Sequence, residues 1–125
     1  MDPNTKEAYA ELYDTFMKDY SAGSVTGEQV GELIARLAGY YPTYNQAMVK
    51  AERSFALVSR DEALRTDEST GKAISATKAD TIANASSDAF IYKQAKMHIQ
   101  NLEVLIASAK ALQRGLLQEM SHSNL

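Results

Sequence analysis

Cysteine is absent from this 125-residue chain, which excludes disulfide frameworks, thiolate metal sites and cysteine nucleophiles. Proline occurs only at Pro3 and Pro42 and glycine six times, so long helices can run with few interruptions. No apolar run reaches the length of a membrane span, and the opening MDPNTKEAYAEL lacks the basic start and apolar core of a signal peptide. The expectation is a cytoplasmic protein with no membrane association. Histidine occurs twice, at His98 in the apolar seam and His122 in the C-terminal tail, and no further ligands can be picked out around His98, so no metal ligand set, cofactor or catalytic constellation is expected. The chain reads as no enzyme.

An excess of positive charge is also missing. The net charge is −3, and duplex nucleic acid, which is gripped mainly by Lys and Arg, is a poor match. The charge is uneven, with seven Lys/Arg against twelve Asp/Glu in residues 1–70 and six against four in residues 71–125. Such halves can attract one another within or between subunits. A small anionic ligand needs only a few local donors and stays open.

What the chain has in quantity is helical periodicity. Asp2 and Pro3 mark a helix start, and Tyr9, Leu12, Tyr13, Phe16, Met17 and Tyr20 then recur on one face, predicting a helix over about 3–20. Thr26 and Gln29 have capping-box spacing, and Val30, Leu33, Ile34, Leu37, Ala38 and Tyr41 repeat the template over 27–41. Pro42 forces a kink or a restart. Tyr44, Met48, Ala51, Phe55 and Val58 carry a narrower stripe over 43–64, and Gly71 reads as a terminator after it. From 76 to 120 a seam of Ile91, Ala95, His98, Leu102, Leu105, Ala109, Leu112 and Leu116 predicts one helix roughly 65 Å long. Its first half is small, with Ala76, Ala79, Ala83, Ser86 and Ala89, so that a neighbouring backbone can approach or space is left for something else. Its second half is rich in leucine. The fold expected is all-α: one helical domain, an elongated antiparallel bundle with one long C-terminal helix, assembled as a homo-oligomer.

Two clusters carry candidate chemistry. Lys72, Ser75, Thr77 and Lys78, with Arg65 nearby, gather cations and hydroxyls at the start of the long helix, whose free amides favour an anion. They read either as a phosphate pocket or as a helix cap among solvated lysines. The string STGKA is not a phosphate loop, because the first glycine is missing and Ala73 replaces the hydroxyl residue that would hold magnesium. Tyr40, Tyr41 and Tyr44 bracket the proline and could stack on a base, or could fill a helix joint or an oligomer interface. His98, polar within an apolar seam, reads as a register device. Lys93 and Lys96 near Tyr92, with Lys110 and Arg114, could follow a single strand or form a solvated face.

The segments GKAISATKAD and AKMHIQNLEVLIASAKALQRGLLQEM resemble the C-terminal half of small helical proteins of bacteriophages and prophages, over roughly residues 26–120. That resemblance implies one of two settings, phage recombination or anti-defence proteins such as sponges for cyclic nucleotide messengers. The function expected is a non-catalytic protein sequestering a phosphate-bearing small molecule, a nucleotide signal of host antiviral defence. The alternatives are a recombination accessory that binds single-stranded DNA or a recombination protein, and a structural or adaptor protein that grips another helix.

Overall fold

The structure, a computed structural model, describes residues 7–123, with side chains through residue 119. The expected Asp2 cap and Pro3 start lie outside the described residues. Five helices follow in order: α1 (Ala8–Ser21), α2 (Gly27–Ala38), α3 (Tyr41–Ala63), α4 (Ala76–Asn84) and α5 (Ser87–Ser123). The fold is all-α, and no described helix is long and apolar enough to cross a membrane.

Local chemistry accounts for the boundaries. The capping box opens α2: the Gln29 amide donates to Thr26 Oγ1 at 3.3 Å while Thr26 N–H donates to Gln29 Oε1 at 2.8 Å. This helix ends at Ala38 rather than 41, with Gly39 as C-cap. Because α3 starts at Tyr41, Pro42 falls in its first turn, where a missing amide costs no ladder bond. The single helix expected over 76–120 is divided into α4 and α5. At the break the Ala89 amide donates to Ser86 Oγ at 3.2 Å, and that hydroxyl donates to the Ala83 carbonyl at 2.6 Å. Ser86 thus ends one helix and caps the next. Gly71 does not terminate α3, which stops at Ala63; it forms the tight turn of a short hairpin-like loop, with φ +69°, a conformation that L side chains rarely adopt.

The chain forms two compact units. The first joins the residues through Tyr41 to those from Gln100 onward, and the second is Pro42–Ile99. Their cores differ in kind. In the first unit Tyr9, Val30, Leu33, Leu37, Leu102 and Ala109 are buried, so large aliphatic groups dominate. Here α2 and α5 approach closely: a Cβ on Gly31 would stand 3.2 Å from Gln113 Nε2. In the second unit the buried residues are Ala51, Ala79, Ala83, Ala89 and Ala95, with Ile99 alone bringing bulk.

In the second unit α3 and α5 run antiparallel, since Tyr44 meets His98 and Phe55 meets Tyr92. The seam read from sequence is largely inward: Ala95, Leu102 and Ala109 are buried, and His98, Leu105, Leu112 and Leu116 half-buried. Ile91 departs from it at 53% exposure.

Candidate functional site

The residues proposed for phosphate lie around the loop between α3 and α4. An isolated antiparallel bridge pairs Thr66 with Ala73, and backbone bonds from Asp67 N–H to the Lys72 carbonyl (2.7 Å) and from Ile74 N–H to the Arg65 carbonyl (3.1 Å) close the turn. This folding brings Arg65 and Lys78 to one hollow of about 320 Å³, together with Asp67 and Glu68. Ser75 is the N-cap of α4, its hydroxyl accepting the Lys78 amide at 3.2 Å. Lys72 and Thr77 are exposed and do not line the hollow.

Both cations of the hollow are paired with carboxylates. Lys78 Nζ donates to both oxygens of Asp67, at 3.1 and 3.0 Å, and Arg65 donates to Glu62 at 2.7 Å. The Ser69 hydroxyl (2.6 Å) and amide (2.9 Å) also donate to Asp67. These bonds, that of the Ser69 hydroxyl first and those of Lys78 next, hold the Asp67 carboxyl down at about 2 against an ordinary 3.8. A carboxyl depressed by folding stabilises the turn above its unfolded value and loses that contribution as pH falls from about 3.8 to about 2. Carbon-detected NMR titration should place the Asp67 midpoint near 2. Amides of residues 65–74 should lose exchange protection over the same window, and Asp67→Asn should abolish that dependence. A midpoint near 4 in the wild type would refute the tether.

The tyrosines disperse. Tyr40 packs edge-on against Tyr9 with centroids 6.3 Å apart, both in the first unit. The Tyr41 hydroxyl donates to Glu103 Oε1, also in the first unit. That hydrogen bond, then desolvation and the neighbouring negative charge, raises the Tyr41 pKa above its usual 10.0. Tyr44 belongs to the second unit, its ring 5.0 Å from His98 and tilted by 38°. It stands in the first turn of α3, whereas Arg65 follows the other end of that helix, roughly 30 Å away at 1.5 Å per residue. One ligand of nucleotide size does not reach both.

Of the basic residues on α5, Lys96 is engaged by a ring. Tyr92 stacks on Phe55 at 5.9 Å and 12°, and Lys96 Nζ lies 4.9 Å from the Tyr92 centroid, so this ring is already occupied by protein groups. Among the described residues no three His, Asp or Glu side chains gather as a metal ion would require.

The feature that sequence reading missed is the outer face of α3. Val49, Arg53, Leu57 and Arg60 of α3, with Leu64 directly after its end and still donating its amide to the Arg60 carbonyl at 3.2 Å, follow at spacings of four, four, three and four, which places them on one side. Val49, Leu57 and Leu64 are 56%, 46% and 78% exposed, and both arginines are exposed between them. The spacing is a usable signal, masked in sequence by the stronger stripe of Tyr44, Met48, Ala51, Phe55 and Val58 on the same helix. No family model, curated protein or solved structure matches the chain.

Proposed function

We propose that this protein is a non-catalytic helical adaptor whose second unit takes an acidic amphipathic helix of a partner protein along the outer face of α3. The observation that carries the reading is the row of three exposed aliphatic side chains interleaved with Arg53 and Arg60. Scattered exposed apolar residues are ordinary, but a row at helical spacing is what a helix-in-groove partner covers. Removing such side chains from water supplies affinity, and the arginines select the sign and orientation of the partner's flanks. The Arg60–Asp61 contact at 3.3 Å is an exposed pair and opens at little cost.

The probe is a labelled helical peptide of roughly 18 residues with leucines at i, i+4 and i+7 and glutamates flanking them, compared by anisotropy with its lysine-flanked counterpart. The acidic peptide should bind, and Leu57→Glu or Arg53→Glu should weaken it by about tenfold or more without disturbing the helical spectrum. Arg53→Glu/Arg60→Glu should shift preference to the lysine-flanked peptide. Equal binding of both peptides to the wild type, or binding of neither, refutes this reading.

A second reading, a phosphate-bearing small molecule such as a nucleotide signal of host defence, draws on Arg65 and Lys78 lining one hollow beside the start of α4. It requires the ligand to displace Asp67 from Lys78. Stoichiometric calorimetric heat from cyclic or linear nucleotides, lost in Lys78→Ala, would carry it in place of the adaptor reading.

A further inference from the structure

The first unit carries a second surface, separate from the outer face of α3. Beside α5 lies a largely apolar groove of about 450 Å³, with Ile34, Ala38 and Ile106 in its lining and Glu103 and Lys110 at its rim. Val104, next to it on α5, is 63% exposed, and Ala107 and Ala111 are exposed. The helix here is therefore apolar and slim, bordered by one acid and one base seven residues apart. Seven residues are nearly two turns, so Glu103 and Lys110 stand on the same side of α5, roughly 10 Å apart along its axis.

We infer that this groove is a two-fold self-association surface whose occupant is α5 of a second copy, lying antiparallel. Charge decides the orientation. A parallel pair would set each Glu103 against the second copy's Glu103 and each Lys110 against its Lys110, which repels. An antiparallel two-fold centred between Ile106 and Ala107 sets each Glu103 against the second copy's Lys110, giving two attractive contacts from one sequence. The same register places each Ile106 opposite the second copy's Ala107, a large group against a small one, and both line the groove, so the helices can approach closely.

Two further details fit this occupant. The Tyr41 hydroxyl holds Glu103 through Oε1, which fixes the carboxylate on the rim and leaves Oε2 to accept from an incoming ammonium. Lys110 has no hydrogen-bond or ion-pair partner among the described residues. A partner of different sequence would not be bound to match both charges, whereas a second copy does so by symmetry.

The test is sedimentation velocity of the full chain over a concentration series, with circular dichroism to check folding. The wild type should dimerise, and the dimer should weaken as salt rises. Lys110→Glu should weaken it by about tenfold or more, because symmetry turns both rim contacts repulsive at once. Glu103→Lys should do the same, and the double variant Glu103→Lys/Lys110→Glu should restore the dimer with the charges exchanged. Ala107→Asp, at an exposed position in the groove, should abolish it while the variant remains folded. A wild type monomeric up to about 100 μM, or a dimer indifferent to both single reversals, overturns the inference. Failure of the double variant to recover, with folding intact, overturns the antiparallel register.

Discussion

Leu37→Ala is expected to lower the unfolding free energy by about 3 kcal/mol, within the usual range for a fully buried leucine. Leu37 is 0% exposed and, with Leu102 and Val30, is among the largest fully buried side chains. Truncation removes three carbons from water-free contact and leaves a cavity that rigid helices close only in part. A domain of this size has about 5–15 kcal/mol in total, so the loss is a large share. Urea unfolding followed by far-ultraviolet circular dichroism gives the number. Leu57→Ser, on the exposed face of α3, should change the unfolding free energy by no more than about 0.5 kcal/mol. A Leu37→Ala loss below about 1 kcal/mol would mean that α2 is not docked through its Val30, Leu33 and Leu37 face.

The contrast between these two leucines shows how sequence patterning carries and fails to carry information. The buried face of α2 was legible because Val30, Leu33 and Leu37 repeat at helical spacing directly behind a capping box, so local chemistry and periodicity agree. The helix over 76–120 was legible in composition but not in continuity. Alanine seams persist across residues 84–88, and a serine inside a helical pattern is tolerated. Ser86 becomes a cap only because its hydroxyl takes the Ala89 amide, the usual work of serine ahead of an acidic first turn at Asp88. The α3 outer face was missed for another reason: arginines separate its aliphatic residues, and amphipathic reasoning allots one apolar face to each helix.

The candidate sites were legible as chemistry and not as partners. That Ser75 caps α4 could be read from its place ahead of an alanine-rich helix. That Lys78 pairs with Asp67, eleven residues earlier, depends on a turn that closes through Gly71 at positive φ and on backbone bonds across it. Local spacing does not encode that closure. The tyrosines near Pro42 look contiguous in sequence, yet successive residues around a helix start point in different directions. Tyr40 goes to Tyr9, Tyr41 to Glu103 and Tyr44 to His98.

The second large effect is expected at Ala83, where Ala83→Leu should destabilise the protein by about 2 kcal/mol or more, in the range for overpacking. The second unit buries alanines where the first buries leucines: Ala79, Ala83 and Ala89 are 3%, 2% and 1% exposed. With such small groups inward, α4 stands close to its neighbours, and a leucine there must push the helix away or adopt a strained rotamer. Helix α4 has nine residues, too few for independent stability, so it is held by its two buried alanines and by the Ser75 cap. Amide exchange should accordingly report the damage locally: α4 amides in Ala83→Leu should lose at least about tenfold in protection, and those of α2 far less. Ala83→Gly separates the causes. It adds no bulk and should cost only about 1 kcal/mol plus the loss of one methyl contact. The opposite result is equally specific. If Ala83→Leu were neutral or stabilising, unfilled space would lie beside α4, and the small-residue half of the sequence would be lining a place for a ligand instead of admitting a neighbouring helix.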